Sequence, residues 1–416
     1  MPRQQMQMVM DFTHTPGQFQ PNPVGTGGYT VTRWADWTVI PALHVVNDAL
    51  FTGDLRLAHR YFDSLVEYHL YKHMINASDT LGAGLVVDNN CTGEPGSCLS
   101  CLIDTSGGSD DNYQQSHTNA VVQAWVYYAM TQVAQLGRWI GKFDAARELE
   151  VKAAAMKESF NRLMVSDDGA VCDGICAEVN HTSIHASFYA LAFDIVDKPR
   201  RQKVFAYIKT RINSSPVGFP GGAYPIQFLL VAVYAIESDR GNLAFDVLSS
   251  EKKHGWIAMM RDHDATTTME CWSPDELPNL SFSHIWSASP SFVIPWYLAG
   301  VRPTTPGFST LDIKPQHGPL TQFAMVMPTV KGPVHSNVTQ SFDETTGELS
   351  HFELVAAIPG NVVARLHAPN PPKKNSSSTC LRLNGRQVEA SASGRGSHVF
   401  VEVSSGTHTL GWCGRG

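Results

Sequence analysis

The sequence predicts a mainly helical protein with a smaller all-β domain at its C-terminal end. Apolar residues recur at helical spacing through most of residues 34–298. The composition then changes at the proline-rich segment 301–315, which is typical of a linker. Beyond it, short alternating runs are separated by turn residues, as in an antiparallel β-sandwich. We therefore place a helical domain at residues 1–300 and a β-sandwich domain at residues 301–416.

The helical part is predicted to consist of helices arranged in pairs. After an irregular stretch at residues 1–30, the helices are expected at 34–51, 55–74, 118–136, 142–164, 183–195, 199–212, 224–237, 241–250, 255–260 and 283–298. Residues 52–54, Thr-Gly-Asp, are suited to end one helix and cap the next. A long loop at 76–116, with three cysteines and the sequence SGGSDD, interrupts the pattern and is of a length usually found in functional or disordered segments.

The β-part is predicted from seven alternating runs. They lie at 323–326, 334–342, 350–356, 361–367, 380–383, 398–403 and 407–412. Turn pairs such as Asn384-Gly385 and Ser405-Gly406 separate them. Cys380 and Cys413 both fall in this part, so we expect a disulfide between them if the geometry permits it.

Composition excludes several classes of protein. The chain of 416 residues is 43% hydrophobic and 17% charged, which is ordinary for a globular protein. Its net charge of −7 does not favour binding to nucleic acid or to an anionic membrane. No apolar run approaches the roughly 20 residues of a membrane span.

The cysteines and glycosylation motifs indicate an exported protein. Seven Asn-x-Ser/Thr motifs occur, at Asn76, Asn90, Asn180, Asn213, Asn279, Asn337 and Asn375. The eight cysteines cluster in the way local disulfides do in an oxidising compartment. The N-terminal sequence, in contrast, has no apolar centre of a signal peptide. We therefore expect a secreted glycoprotein, and one resolution of the contrast is that the true front of the protein is missing from this sequence.

The stretch Thr266–Pro290 carries the strongest chemical pattern. Glu270 lies two residues before Trp272, and His284 lies two residues before Trp286. A carboxylate for acid–base work with rings that stack on a sugar is typical of carbohydrate sites. The alternative is a helix start with two packed indole rings and a hydrogen-bonded core histidine.

With these pieces placed, the chain resembles the α-L-rhamnosidases of glycoside hydrolase family 78. The matching segments include WADWTVIPALHVV, DNY at 111–113, HTSIHASFYALAF, GGAYPIQFLLVAVY, ATTTMECW, SHIWSASP and MPTVKGPV. The resemblance implies an (α/α)6 barrel of helical hairpins, incomplete here because its first helices are missing, followed by the β-sandwich. It also implies removal of terminal α-L-rhamnose with inversion, by two carboxylates on opposite faces of the sugar.

The resemblance also assigns roles to particular residues. Glu270 matches the family's general base, and His284 matches a histidine that hydrogen-bonds the sugar. The expected sugar-binding residues are His284, Trp34, Asp36, Asp104, Asp111, Tyr113, Trp272 and Trp286. For the tryptophans, packing between helices remains the alternative. No cofactor and no metal ion is predicted, since the acidic residues are scattered without the spacing of a calcium loop.

One departure from the family pattern is important. The family carries its general acid in a motif rich in Asp, Arg and Glu, and Asp11 is the only acidic residue among residues 1–33. Two hypotheses follow: an incomplete version of a secreted rhamnosidase, or a diverged member that binds sugar and hydrolyses it poorly or not at all. A third hypothesis is another (α/α)6 enzyme, such as a different exo-glycosidase or a polysaccharide lyase. It ranks last because a lyase needs a basic cluster, and none lies near Tyr113 or His284. The partner expected is a rhamnose-containing carbohydrate, with no prediction of oligomeric state.

Overall fold

A computed structural model describes residues 35–71, 84–87, 103, 110–277, 279–370, 380–392 and 397–413. Helices occupy the described chain up to residue 298 and strands follow, which confirms the predicted fold class. The predicted irregular start and most of the 76–116 loop lie outside the described residues. Within the described ranges, no helix combines the length and the apolar character needed to cross a membrane.

The helices follow the predicted order with small shifts at their ends. They are α1 (Ala35–Thr52), α2 (Arg56–Ser64, continued by a π-helical turn Leu65–Tyr71), α3 (Ala120–Trp139), α4 (Phe143–Leu163), α5 (Ile184–Ala192), α6 (Arg201–Ser214), α7 (Ile226–Tyr234), α8 (Asn242–Leu248), α9 (Trp256–His263) and α10 (Pro290–Val293, continued by a π-helical turn Ile294–Leu298). The last prediction was wrong at its start, because α10 begins at Pro290 and not at residue 283.

The described residues form two compact units. The first unit holds those up to Asp48 together with Leu55–Val233 and Ser250–Ser287. The second holds Ala49–Asp54, Tyr234–Ser249 and the described chain from Ala288 onwards. The division of the chain into domains at residues 300 and 301 stays a prediction.

In the first unit, neighbouring helices pack as hairpins whose starts are capped by side chains. Helix α3 packs on α4, and α5 packs on α6. The Asn119 side chain accepts hydrogen bonds from Val121 N and Val122 N at the start of α3. Ser183 caps α5 in the same way, through Ala186 N. Such caps satisfy backbone donors that a helix leaves open, so both helices begin at defined residues.

The second unit is built on two sheets. Its strands are β1 (Val301–Pro303), β2 (Thr310–Ile313), β3 (Gln322–Met327), β4 (Val334–Phe342), β5 (Leu349–Ile358), β6 (Val363–Pro369), β7 (Leu381–Leu383), β8 (Arg386–Val388), β9 (Ser391–Ala392), β10 (His398–Val403) and β11 (Gly406–Trp412). One sheet has the order β1-β2-β6-β10-β9 and the other β3-β4-β5-β11-β7-β8. The pair β2–β6 is parallel and the other strand pairs are antiparallel. Apolar residues from both sheets, such as Leu354, Leu366 and Leu410, form one buried core.

The segment predicted as a linker, residues 301–315, contains strands β1 and β2 instead. The prolines suggested an irregular segment, but Pro303 lies on β1 at the edge of its sheet. Proline is tolerated there because an edge strand has one side without ladder hydrogen bonds. The short strands β8 and β9 were also not predicted.

Two disulfides occur in the described residues. Cys380 and Cys413 are bonded, with Cα atoms 5.4 Å apart, which confirms the sequence prediction. Cys172 and Cys176 form a local disulfide, also with a Cα–Cα distance of 5.4 Å. The predicted cluster of Cys91, Cys98 and Cys101 lies outside the described residues.

Candidate functional site

Two parts of the stretch Thr266–Ser287 lie side by side. The Glu270 N–H donates to Ser281 O at 2.9 Å, and the His284 N–H donates to Thr268 O at 2.7 Å. The Thr268 hydroxyl donates in return to His284 O at 2.9 Å. These backbone pairings explain why His284 lies in an irregular segment and not on the predicted helix. They also bring a carboxylate and an imidazole together that are fourteen residues apart in sequence.

The Glu270 carboxylate is held at one oxygen and accessible at the other. Its Oε2 accepts the Ser281 N–H at 2.8 Å. Its Oε1 lies 4.0 Å from His284 Nε2, and 20% of the side chain is exposed. A separation of 4.0 Å is too long for a direct hydrogen bond. A ligand or water oxygen that hydrogen-bonds to both groups would lie to one side of the line between them.

The hydrogen bonds of His284 determine which ring nitrogen carries a proton. Its Nδ1 lies 3.2 Å from the Trp286 N–H, which can only donate. Nδ1 is therefore the acceptor, so the neutral ring carries its hydrogen on Nε2. That N–H faces Glu270. The imidazole can thus donate a hydrogen bond to an oxygen that the carboxylate also contacts.

A chain of contacts continues from His284 to a buried carboxylate. The Trp286 ring lies 4.3 Å from the His284 ring and 5.5 Å from the Tyr224 ring, measured between centroids. The Tyr224 hydroxyl donates to Asp36 Oδ2 at 3.0 Å, and Asp36 is fully buried. The structure therefore links four predicted residues, Glu270, His284, Trp286 and Asp36. Tyr224 was not among the predictions, although a tyrosine in the matched segment GGAYP that is buried needs a hydrogen-bond partner.

Trp272 lies in the packed interior of the first unit. Its side chain has no exposed surface. Its Nε1–H donates to Gly221 O at 2.7 Å, the Trp256 ring meets it edge-on at 5.6 Å, and the His254 ring stacks on it at 6.0 Å. In this placement the indole faces are covered by protein. Trp272 therefore occupies the kind of packed position that was the alternative to sugar binding for the tryptophans.

Asp111 and Tyr113 form a second cluster. Asp111 accepts from Arg211 Nη2 at 2.5 Å and from the Ile184 N–H at 2.8 Å, so it caps helix α5. The Tyr113 hydroxyl lies 2.8 Å from Asn119 Oδ1 at the start of α3. The contacts of Glu270 include neither residue. Trp34 and Asp104 lie outside the described residues.

A second carboxylate in the stretch holds the turn that follows Glu270. Glu276 Oε2 accepts the Trp272 N–H at 3.3 Å, and its Oε1 lies 3.4 Å from His254 Nε2. His254 Nδ1 lies 2.8 Å from Phe219 O. Both partners of the His254 ring are therefore oxygen acceptors, a carboxylate and a backbone carbonyl. Glu276 and His254 were not predicted, because neither residue lies in a recognisable sequence motif.

Comparison with known protein families then decides the relationship. Residues 2–298 match the bacterial alpha-L-rhamnosidase six-hairpin glycosidase domain. Residues 300–380 match the bacterial alpha-L-rhamnosidase C-terminal domain. The chain belongs to the bacterial α-L-rhamnosidase six-hairpin family. No curated protein sequence matches the chain.

Solved α-L-rhamnosidases have the same fold. The enzyme from Dictyoglumus thermophilum superposes with a TM-score of 0.69 at 16% identity, over 98% of this chain and 43% of that one. The Streptomyces avermitilis enzyme, complexed with L-rhamnose, gives 0.65 at 19% identity, over 98% and 36%. The Aspergillus terreus enzyme gives 0.64 at 18% identity, over 98% and 42%. This rhamnosidase-family chain therefore spans less than half the length of these relatives.

In this family member, the residues that the resemblance selected differ in their exposure. Glu270, His284 and Trp286 are in contact and partly exposed. Asp36, Trp272 and Tyr113 are buried. Within the described parts of the chain, no group of three metal-ligating side chains comes together.

Proposed function

We propose that this chain is a glycoside hydrolase of the α-L-rhamnosidase type in which Glu270 is the general base of an inverting reaction. One observation carries the proposal: a partly exposed carboxylate oxygen faces an imidazole N–H across 4.0 Å. A water molecule hydrogen-bonded to Glu270 Oε1, beside this pair, can donate a proton to Glu270. The family membership of the chain supports the same chemistry.

The proposed reaction displaces the leaving oxygen from the anomeric carbon by water. Glu270 removes a proton from the water as its oxygen forms the new C–O bond on the opposite face of the ring. The bond to the leaving oxygen breaks at the same time, and that oxygen takes its proton from solvent water, because no acid is assigned in this chain. Ser281 N–H fixes Oε2, so that Oε1 is directed to the water.

His284 and Trp286 are proposed to bind the sugar. The His284 Nε2–H donates to a sugar hydroxyl, and the half-buried indole of Trp286 offers an apolar surface. Rhamnose carries a methyl group in place of a hydroxymethyl group, which favours such an aromatic contact. We propose a rhamnose-containing carbohydrate as the substrate. The roles of Trp34, Asp36, Asp104, Asp111, Tyr113 and Trp272 in sugar binding stay predictions.

We also propose that turnover by this chain depends strongly on the leaving group. The sequence has no counterpart of the family's acid motif, and general acid catalysis contributes typically about 10²–10⁴-fold. An aryl rhamnoside, whose phenolate leaves with little protonation, should be cleaved far faster than an alkyl or disaccharide rhamnoside. Binding without cleavage of any rhamnoside would favour the alternative, a carbohydrate-binding member of the family.

The decisive experiment compares Glu270→Gln with Glu251→Gln. Glu251 is an exposed glutamate of the same unit outside the site. On an aryl rhamnoside, Glu270→Gln should lower kcat by about 10²-fold or more, while Glu251→Gln should leave it unchanged. Azide needs no deprotonation, so it should restore activity to Glu270→Gln and yield the β-linked rhamnosyl azide. Proton NMR of the first product formed by the unaltered protein should show the β-anomer; wild-type kcat in Glu270→Gln would refute the proposed base.

We further propose that the protein is secreted and glycosylated. The four sequon asparagines in the described residues, Asn180, Asn213, Asn279 and Asn337, are all exposed. An asparagine that carries an N-linked glycan must lie on the protein surface. Mass spectrometry of glycopeptides from protein expressed through a eukaryotic secretory pathway tests this, and unmodified peptides at all four positions would contradict it.

A further inference from the structure

A cavity in the second unit is not part of the candidate site. Its volume is about 320 Å³, at the lower end of the range for small-molecule pockets. It is lined by Glu237, Ser238, Arg240, Glu348, Leu349, Pro369, Asn370 and Ser397. Charged, amide and hydroxyl groups together with two apolar side chains are the kind of lining that binds a polar ring compound.

Arg240 is the main cationic group of this cavity. Its backbone is held on both sides, since its N–H donates to Glu237 O at 3.1 Å and its carbonyl accepts from Gly318 N at 2.9 Å. Its guanidinium lies over the Phe342 ring, 5.8 Å from the centroid. Among the described residues, no carboxylate lies within ion-pair distance of it. Burial lowers the pKa of Arg240, while Asp239 raises it, so its charge is partly desolvated without a direct counterion.

The neighbouring acidic group, Glu237, is already paired with a cation. Lys314 Nζ lies 2.6 Å from its Oε1, and the Ser397 hydroxyl donates to its Oε2 at 2.8 Å. Glu237 therefore does not repel an anion in the cavity. Ser397 donates its only hydroxyl hydrogen to Glu237, and its Oγ also lies 3.3 Å from His398 Nδ1. Its other lone pair can accept from a ligand hydroxyl. Asn370 N–H donates to Ser397 O at 3.0 Å, which fixes these two lining residues together.

We propose that this cavity binds a sugar that carries a carboxylate, a hexuronate, through Arg240. A guanidinium binds a carboxylate with two parallel hydrogen bonds, which suits its planar fork. Ser397 and Asn370 contact ring hydroxyls, and Leu349 and Pro369 contact the apolar face of the ring. The proposal does not depend on hydrolysis at Glu270.

A substitution of Glu348 tests the proposal by an expected gain in affinity instead of a loss. Its side chain is exposed and lines the same cavity. Its carboxylate repels the carboxylate of a uronate bound to Arg240. Glu348→Gln should therefore tighten uronate binding by about twofold to fivefold, since like charges near a protein surface repel modestly. Damage to the fold cannot cause tighter binding.

The experiment is isothermal titration calorimetry of the whole chain with sodium glucuronate and sodium galacturonate. Glucose and galactose serve as ligands of the same ring without the carboxylate, and acetate serves as the carboxylate without the ring. We expect heat of binding with a uronate only. Arg240→Gln should weaken uronate binding by about tenfold or more. Arg240→Lys keeps the charge but loses the planar fork, so its affinity should lie between those of the unaltered protein and Arg240→Gln. Arg382→Gln, an exposed arginine on β7 outside the cavity, should bind as the unaltered protein does.

Three results would overturn the proposal. Absence of binding heat with either uronate would remove the ligand class. Equal affinity for uronates and neutral sugars, or for uronates and acetate, would show that the cavity does not recognise the combination of ring and carboxylate. Unchanged or weaker uronate binding by Glu348→Gln, with an unfolding temperature like that of the unaltered protein, would place the ligand away from this cavity.

Discussion

Two glutamates, one in each compact unit, show how the same side chain takes on different tasks. Glu237, in the second unit, is buried and bonded to Lys314 at 2.6 Å and to the Ser397 hydroxyl at 2.8 Å. Glu270, in the first unit, accepts one backbone N–H at 2.8 Å, and its other oxygen faces His284 across 4.0 Å. One carboxylate has both oxygens occupied, and the other has one oxygen available for a proton from a ligand.

The contacts of Glu237 also lower its affinity for a proton. Burial by itself would raise the pKa of its carboxyl, but hydrogen bonds and charges from His398, Lys314 and Ser397 outweigh it and hold the pKa far below its usual range. Such a group stays ionised and cannot exchange protons near neutral pH. Glu237 therefore has a structural role, and the proton transfer that we propose is assigned to Glu270, whose side chain is partly exposed. Three experiments can break or sharpen this comparison.

Glu237→Gln is expected to cause the largest loss in the free energy of unfolding. The change leaves Lys314 and His398 beside a neutral amide in a buried position, and breaking a buried charge pair costs about 3–5 kcal/mol. Urea unfolding at pH 7 measures the loss. Glu270→Gln, at a partly exposed carboxylate, should change the free energy of unfolding by less than about 1 kcal/mol. If both variants lost the same stability, the structural role assigned to Glu237 alone would not hold.

A smaller loss of stability is expected in the second unit when the pH is lowered. His317 is buried, and burial together with the charge of Arg240 lowers its pKa from 6.5 to about 4. The unfolded chain therefore binds a proton at a higher pH than the folded chain. The stability contributed by neutral His317 is fully present above pH 6.5 and is lost as the pH falls towards about 4. At pH 5 the loss is about 2 kcal/mol relative to pH 7.

His317→Asn tests this pH dependence. The asparagine does not titrate, so the difference between the free energies of unfolding at pH 7 and pH 5 should shrink by about 2 kcal/mol. His398, whose pKa is also lowered by burial, keeps part of the difference. His351 is exposed on β5, and His351→Asn serves as the matched control with an unchanged difference. An unchanged difference in His317→Asn would mean that its ring is protonated in the folded protein.

The smallest effects separate the two tryptophans of the candidate site. Trp272→Phe removes the hydrogen bond to Gly221 and leaves a gap in the interior, at a cost of about 1–3 kcal/mol of stability. Trp286→Phe, in a half-buried position, should leave stability nearly unchanged and raise KM for an aryl rhamnoside by about twofold to fivefold. Thermal unfolding and initial rates measure the two quantities. The assignment fails if Trp272→Phe changes KM without changing stability.

The local parts of the fold were predictable because short-range patterns specify them. Strands β4 and β10 were predicted with their observed ends, and alternation of buried and exposed residues explains this success. Helices α3 and α4 were predicted to within a few residues. The start of α10 was wrong because the polar residues before Pro290 resemble a helix start in sequence. In the structure they are held by backbone hydrogen bonds to Thr268 and Glu270, which no local pattern reports.

The sequence alone was enough to predict the two-part fold and the stretch that contains Glu270 and His284. It also placed Cys380 and Cys413 in the same small domain, but only the geometry decided that they are bonded. Periodicity, turn residues and motif spacing are local properties of the chain, so they can be recognised without coordinates. The tertiary structure decided which of the selected side chains remain accessible. Burial and hydrogen-bond saturation depend on residues far away in sequence: Gly221 covers the N–H of Trp272, Tyr224 binds Asp36, and Ser281 leaves one oxygen of Glu270 open.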